Sequence, residues 1–354
     1  MAEKTEALTL PGQPSSRREE LKERTYWTMV ADKLWRDKIT MFALLLLAFM
    51  VAITLAASWI GDNILGFDPF DVDLRNTSAP PTWAEAGWAK FQDYTRSCQS
   101  SAGCDGARLA GIGEDLSSGL RQCFGAGLGG CHWLGTDDAG RDVLTRGVYG
   151  GRISLRIGVY VAFLSVTIGV LAGLISGYYA ATFIDDLINA IIMTLGSIPL
   201  LFLLIILSRV FQPGPEGLAF LLGIFGWMGI SRLIRGQIFS LRERDFVMSS
   251  RALGSSVWRI MFRHILPNVS SIVIVAAVFD VAGAIIAEAG LSYLGVGIGP
   301  PNPSWGNMMQ GSLGNFTKAP WEVLTPGIFI FLTTLAIYLI GDGLRDALDP
   351  WVKS

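Results

Sequence analysis

Six long apolar stretches, separated by polar segments, dominate this chain of 354 residues. A helix of about 20 mainly apolar residues is long enough to span a bilayer. Buried helices of soluble proteins are usually shorter and keep a polar stripe. The pattern therefore predicts an all-α polytopic membrane protein with six transmembrane helices, at residues 39–60, 157–184, 187–208, 217–231, 265–287 and 323–341.

Several residues interrupt these apolar stretches, and each has two interpretations. Pro199 removes a backbone hydrogen bond in the third span, so it predicts a kink, either as a hinge or as a packing device. Asp280 and Glu288 lie in or next to the fifth span, where acidic residues usually face a bundle interior or a water-filled path. Asp280 is the deeper candidate for the translocation path, whereas Glu288 lies near the end, where its carboxylate could simply reach water. Proton coupling is the rival interpretation of this pair.

Small residues mark one face of the second span. Gly169, Gly173 and Gly177 recur every four residues, so they share a helical face that another helix can approach closely. The pattern favours helix packing over a pore-lining role.

Composition agrees with a membrane protein and excludes some other classes. The chain is 51% hydrophobic and only 16% charged, against about 25% charged residues in soluble domains. A net charge of −2 creates no basic field that would attract nucleic acid. The polar residues before the first span predict a cytoplasmic tail, residues 1–38, that passes into an interfacial helix near residues 27–38.

The distribution of cations predicts the orientation, because positive residues concentrate on the cytoplasmic side. With six spans, the polar leader and the loop between the fourth and fifth spans fall on the same side. Both termini are then cytoplasmic, and residues 61–152 form an extracytoplasmic insert. The cations that determine this are Arg17, Arg18, Lys22, Arg24, Lys33, Arg36 and Lys38 in the leader, and Arg232, Arg235, Arg242, Arg244, Arg251, Arg259 and Arg263 in and beside the loop.

All four cysteines lie in the insert, where they can oxidise. Four cysteines allow three pairings, and the local pairs Cys98–Cys104 and Cys123–Cys131 are favoured. A metal site is the weaker interpretation, because the spacings exceed those of zinc knuckles and only His132 lies nearby. The insert is either a docking surface for a substrate-delivering protein or a lid that stabilises the helices.

Motifs of catalytic or nucleotide-binding proteins do not have a suitable context here. The segment GAGLGG at 125–130 matches a dinucleotide fingerprint but lies in the cysteine-bearing insert, without the strand and helix that such a site needs. No Gly-Lys pair occurs, so the chain has no P-loop, and its two histidines fall on opposite sides of the predicted membrane. No cofactor, metal site or catalytic site is predicted in this chain.

The stretch RERDFVMSSRALGSSVWRIMFRHILPN, residues 242–268, interrupts the apolar pattern between the fourth and fifth spans. Gly254 divides it into two predicted short helices, 246–253 with Asp245 as N-cap, and 257–266, capped by Ser255 or Ser256 and ending before Pro267. Such short helices are marginal alone, and their apolar face is too wide to lie free in water. Small residues and few cations favour a protein partner over lipid as the covering surface.

This stretch resembles the cytoplasmic coupling loop of ATP-binding-cassette importer permeases. That family has the pattern E-A-A, three residues, G, nine residues, I-x-L-P. Here Met248, Ser249 and Ser250 stand at E-A-A, Gly254 at the glycine and Leu266-Pro267 at the end. The departures are Met for Glu, serines for both alanines and His264 for the isoleucine. The residues that the resemblance assigns to ATPase coupling are Asp245, Met248, Ser249, Ser250, Arg251, Ala252, Gly254, Arg259, Arg263 and Pro267.

Two further segments resemble the dipeptide/oligopeptide branch of that family: LGTDDAGRDVLTRGVYGGRISLRIG at 134–158 and AEAGLSYLGVGIGPPNPSWGNM at 287–308. The resemblance implies an inner-membrane permease subunit of an ATP-driven importer. Its expected partners are a second homologous permease, two ATPase subunits that bind ATP and Mg, an extracytoplasmic binding protein and membrane lipid. Peptides are the expected cargo, with nickel, glutathione or oligosaccharide as alternatives. The predicted organisation is a tail at 1–38, a first helix at 39–60, the insert at 61–152, a five-helix permease domain at 153–345 and a cytoplasmic tail at 346–354.

Overall fold

The computed structural model describes residues 26–99, 106–126 and 131–348. Eleven helices organise these ranges. They are α1 (Tyr26–Arg36), α2 (Lys38–Leu55), α3 (Glu85–Gln99), α4 (Gly106–Ala126), α5 (Val143–Tyr178), α6 (Phe183–Gly196), α7 (Leu200–Phe211), α8 (Pro215–Leu241), α9 (Asp245–Ala252), α10 (Val257–Tyr293) and α11 (Trp321–Leu348). Short helical turns at Ala57–Ile60, Gly61–Leu65, Thr82–Ala84, Trp305–Met308 and Ser312–Asn315 complete these ranges.

The prediction of an all-α polytopic membrane protein is confirmed. Within the described ranges, five helices (α2, α5, α8, α10 and α11) are long and apolar enough to cross a membrane. The pair α6 and α7 would make a sixth span, but its axis bends by 77° at the break. Pro199 is the N-cap of α7, so the predicted kink is a complete break in the helix.

Several predicted boundaries differ from the structure. Helix α5 begins at Val143, so residues 143–152 are helical and not part of the insert's loop. The Asp142 carboxylate starts this helix by accepting a hydrogen bond from the Thr145 backbone N–H at 2.8 Å. Apolar content alone could not place this start, because the first turns of α5 are rich in glycine and arginine. Helix α11 likewise continues to Leu348, past the predicted boundary at 345.

Helix α1 corresponds to the predicted interfacial helix, and it packs against the C-terminal end of α11. Val30 is buried against Leu344, Ala347 and Leu348 of α11, and the Lys33 ammonium donates to the Asp346 carbonyl. A break at Asp37 separates α1 from α2, and the Asp37 carboxylate caps α2 by accepting from the Ile39 N–H at 3.1 Å.

The glycine face predicted in the second span packs α5 against α8. A Cβ atom added at Gly169 would lie 2.8 Å from the Ile230 Cβ, and one at Gly173 would lie 2.7 Å from the Ser231 carbonyl oxygen. At Gly177 it would meet the Ile238 Cβ at 2.8 Å. Because these distances leave no room for a side chain, the packing interpretation is confirmed.

The insert is a helical hairpin that rests on the beginning of α11. Its helix α3 is joined to α11 through aromatic side chains. The Trp88 and Trp321 rings meet edge to face at 5.4 Å, and the Trp321 indole N–H donates to the Thr136 carbonyl at 3.0 Å. Cys123 and Cys131 form a disulfide, as predicted. Only the backbone of Cys98 is described and Cys104 lies outside the described residues, so the second pairing stays a prediction.

Replacing Gly173 by alanine should destabilise the protein by about 1–3 kcal/mol, because the added methyl group strikes the α8 backbone. The measurement is the unfolding midpoint of the purified protein in detergent. Gly236→Ala is the matched control, because nothing lies within 4 Å of a Cβ at that helical position, and it should be neutral or slightly stabilising. Equal midpoints for the two variants would contradict the close packing.

Peptide mapping without reduction should recover Cys123 with Cys131 in one disulfide-linked pair and Cys98 with Cys104 in another. Oxidation is expected because the insert is predicted to be extracytoplasmic. Mapping after reduction is the control. Free thiols at all four positions, or crossed pairs, would reject the predicted connectivity.

Candidate coupling and translocation sites

The coupling segment, residues 242–268, consists of two helical pieces joined at Gly254. Gly254 has a φ of +76°, the left-handed conformation that ends many helices and that glycine adopts without strain. Two backbone hydrogen bonds close the turn, from the Gly254 N–H to the Arg251 carbonyl at 3.0 Å and from the Ser255 N–H to the Ser250 carbonyl at 3.2 Å. The predicted division of the segment at Gly254 is confirmed.

The ends of both helical pieces differ from their predicted positions. Arg244, and not Asp245, is the N-cap of α9, and it makes no side-chain cap hydrogen bond. Asp245 instead occupies the first turn, where a carboxylate favours the positive end of the helix. Pro267 does not end the second piece, which continues as α10 to Tyr293. Residues Ile260–Ile265 form a π-helical turn, and this wider turn accommodates the proline ring without breaking the helix.

Apolar side chains fix the coupling segment to α5 and α8. The inward-facing side chains lie in one core cluster with Val170 and Leu174 of α5 and with Ile230, Ile234 and Ile238 of α8. They are Val247, Ile260, Met261 and Ile265, and Val269, the residue after the segment, joins the same cluster. The segment is therefore part of the packed bundle and contacts both helices.

The opposite face of the coupling segment is exposed and carries several large apolar side chains among polar and charged ones. Leu253 at the turn is 86% exposed, and Trp258 is 61% exposed and stacks on Phe262 with ring centroids 5.5 Å apart. Phe246 and Met248 are also exposed. Sequence reasoning included only Met248 among the candidate contacts. The sequence could also have indicated the other four, because the apolar arc of the two helices is wider than the face that packs inward. They are Phe246, Leu253, Trp258 and Phe262.

The coupling residues predicted from the resemblance are mostly on this surface. Ser250 is the exception, because it is buried and its hydroxyl lies 3.4 Å from that of Ser255. Nothing lies within 4 Å of a Cβ at Gly254, so this glycine opens directly to the outside. The exposed members are Asp245, Met248, Ser249, Arg251, Ala252, Gly254, Arg259, Arg263 and Pro267.

The two acidic residues of α10 have different surroundings. Asp280 is half-buried and accepts a hydrogen bond from the Ser165 hydroxyl of α5. Glu288 is completely buried and accepts from the hydroxyls of Ser154 at 2.9 Å and Ser292 at 2.7 Å. The expectation that Glu288 reaches water is therefore wrong. Its contact with Ser154 of α5 could not be read from its nearness to the end of an apolar run.

Comparisons with known proteins identify the family of the chain. A family model described as "Binding-protein-dependent transport system inner membrane component" matches residues 169–354, more than half of the chain. The chain belongs to this family. It is a multi-pass inner-membrane permease subunit of a binding-protein-dependent importer.

Curated relatives extend the similarity. The chain is 33% identical to an oligopeptide transport system permease protein OppC of Haemophilus influenzae over 334 residues, which cover 94% of this chain and 90% of the relative. It is 42% identical to a dipeptide transport system permease protein DppC of Alkalihalophilus pseudofirmus over 63% of this chain and 73% of the relative. An OppC of Bacillus subtilis is 40% identical over 63% of this chain and 72% of the relative.

An ion pair that sequence reasoning missed holds the broken span of this permease against α8. The Asp185 carboxylate of α6 accepts two hydrogen bonds from the Arg235 guanidinium, at 2.8 and 2.7 Å. Asp185 is buried, and it also accepts from the Ser176 hydroxyl of α5 and from the Ala181 N–H at 3.1 Å. From the sequence, Arg235 contributed only to the predicted orientation, because nothing in the sequence indicates which acidic residue it pairs with.

Replacing Asp185 by asparagine should destabilise the permease by about 2–4 kcal/mol, because the change leaves Arg235 without its buried counter-charge. The measurement is the unfolding midpoint in detergent. Arg156→Gln is the matched control, because Arg156 and Glu216 form an ion pair at 3.0 Å whose side chains are 61% and 73% exposed. Exposed pairs of this kind contribute about 0–1 kcal/mol. Similar effects of the two changes would contradict the importance of the buried pair.

Proposed function

We propose that this permease forms one half of a translocation path for di- or oligopeptides and that ATPase subunits drive it through the coupling segment. The observation that carries the proposal is the exposed apolar face around Gly254, built on a segment that is itself fixed in the bundle. Exposed aromatic and long apolar side chains on a rigid support are typical of protein docking sites. ATP and Mg would be bound by the partner subunits, and this chain would have no catalytic role.

The peptide cargo is supported by the names of the relatives, which are dipeptide and oligopeptide permeases. The similarity to OppC of Haemophilus influenzae extends over 94% of the chain, including the insert region. Nickel, glutathione and oligosaccharide are the alternatives within the same architecture. An uptake assay with the cognate binding protein and each class of compound distinguishes them.

The proposed path runs along the faces of α8 and α10 that have open space beside them. Added Cβ atoms would meet nothing within 4 Å at Gly229 and Gly236 of α8 or at Gly283 and Gly290 of α10. Each pair is seven residues apart, so its members share a helical face. Asp280 lies three residues before Gly283 and is the candidate polar residue of the path. The break at Pro199 is proposed as a hinge of the broken span. The burial of Glu288 favours a structural role for that carboxylate over contact with the cargo.

The proposed assembly contains a second permease, two ATPase subunits and an extracytoplasmic binding protein. Both termini and the coupling segment would face the cytoplasm, as the arginine distribution predicts. The disulfide between Cys123 and Cys131 supports the opposite location for the insert, because disulfides persist in oxidising compartments. The insert would then be available to the binding protein.

Replacing Gly254 by arginine should abolish most uptake and weaken co-purification with the ATPase subunits. The backbone there is left-handed and the position is open. The isolated permease should therefore still insert and fold, at a cost of about 1–2 kcal/mol in backbone strain. In the complex, the added charge would lie in a close contact and lose its solvation. Membrane insertion, ATPase co-purification and uptake are measured on the same preparations.

Two control variants separate the possible causes. Gly254→Asn tolerates the left-handed backbone better than other side chains and should retain more activity than Gly254→Arg. Gly314→Arg adds the same charge to an open position of the short turn Ser312–Asn315, outside both the coupling segment and the insert, and should leave uptake unchanged. Normal uptake by Gly254→Arg, with an intact ATPase complex, would refute the coupling role.

A further inference from the structure

A polar cleft opens where the turn between α7 and α8 faces the loop that follows α10. Its volume is about 490 Å³, and Ser208, Arg209, Pro215, Gly297 and Asn302 are among the residues that line it. This volume is within the range of small-molecule sites. The turn and the loop both lie at the end of the bundle where the insert is attached, which is the end predicted to face the binding protein.

The cleft contains hydrogen-bond donors without partners. Ser208 is only 3% exposed, and its hydroxyl has no hydrogen-bond partner within the described part of the chain. Burial of an unpaired hydroxyl is costly, so such a group usually indicates a missing partner. Arg209, the next residue, makes no hydrogen bond or ion pair with any residue that the structure describes.

The beginning of α8 adds a further positive element. Its N-cap is Gly214, which supplies no side-chain cap, and Pro215 follows at the first helical position. The uncapped N–H groups of such a turn carry partial positive charge and attract anions. The one acidic residue of this turn, Glu216, forms an ion pair with Arg156. Arg209 is therefore the cleft's unpaired charge among the described residues.

The other wall of the cleft is rigid. The N–H groups of Gly295, Val296 and Gly297 donate to the carbonyls at the end of α10, and the Ile298 N–H donates to the Ser292 hydroxyl at 3.0 Å. A Cβ at Gly297 would lie 2.4 Å from the Ser292 hydroxyl oxygen, so this loop is tightly packed. A preorganised wall opposite unpaired donors is suited to selective binding.

We infer that this cleft is a subsite for a carboxylate, and that its ligand is the free C-terminal carboxylate of the transported peptide. Arg209 would bind the carboxylate through charge-assisted hydrogen bonds, with the Ser208 hydroxyl and the first turn of α8 as additional donors. The inference rests on the proposed peptide cargo. The peptide's negative end would then be held at the mouth of the path before the chain enters it.

The first test measures uptake by the complete importer in phosphatidylcholine vesicles, with trialanine as the probe. Arg209→Gln should lower uptake about tenfold, Ser208→Ala about threefold, and Arg209→Lys less than Arg209→Gln because it keeps the charge. Arg36→Gln is the matched control, because Arg36 is an exposed arginine of α1, outside both the cleft and the insert. Uptake by Arg209→Gln at the wild-type level would overturn the inference.

The second test does not depend on transport. Asn302→Cys places a thiol on the rim of the cleft, and its rate of alkylation is measured in the assembled complex, with the wild-type chain as background. Trialanine should slow the reaction, whereas trialanine amide and inorganic phosphate should not, and Arg209→Gln should remove the protection. Equal protection by the acid and the amide, or by phosphate, would reject a carboxylate subsite. The cleft would be assigned to a lipid headgroup instead if trialanine gave no protection in vesicles that contain phosphatidylglycerol, because the lipid would already occupy the site.

The two tests separate this inference from the proposed function. If the wild-type importer carries no peptide while trialanine still protects the thiol, the peptide cargo is wrong and the carboxylate subsite stands. If peptides are carried but the amide and the acid protect equally, the cargo stands and the subsite is wrong.

Discussion

The close contact between α5 and α8 is the constraint on which the other features depend. Three glycines at intervals of four residues bring the two helices together, with isoleucine side chains of α8 lying directly over the α5 backbone. In a bilayer, helices gain little from hydrophobic association, because lipid tails are as apolar as leucine. Close packing over small residues must supply the attraction. The glycines therefore determine where α8 lies, and α8 in turn supplies Arg235 to the broken span.

The same isoleucines have a second role, because Ile234 and Ile238 also belong to the core of the coupling segment. The segment is thus attached to the two most closely packed helices of the bundle and presents its remaining apolar side chains outward. This division explains why one short stretch is both buried and exposed. Residues such as Ile260 and Ile265 hold it in place, while Leu253 and Trp258 remain free to contact another protein.

Much of the architecture could be predicted from the sequence because the strongest signals are local. Apolar runs locate spans, and a glycine every fourth residue indicates a packing face. A glycine between two short helices indicates a left-handed turn, as at Gly254. Two of the features that were missed depend on tertiary context, because the pairing of Asp185 with Arg235 and the burial of Glu288 against Ser154 each require a partner from a distant part of the chain. The helical start at Val143 has a local signal, the Asp142 cap, but an apolar pattern does not show it because the first turns are rich in glycine and arginine. Pro267 was misinterpreted because a π-helical turn, which has no simple sequence signature, relieves its usual effect.

The continuity of α10 gives the molecule a single rod of 37 residues, from Val257 to Tyr293, which is about 55 Å long at 1.5 Å per residue. One end of the rod belongs to the coupling segment, and the other end is bonded through Ser292 to the wall of the polar cleft. A tilt of about 10° about one end would move the other end by roughly 10 Å over that length. Because the helix is continuous, an orientation that is stabilised at one end also changes the position of the other end, and this coupling acts in both directions. Binding of a ligand in the polar cleft and binding of a partner to the coupling segment would then both depend on the tilt of α10.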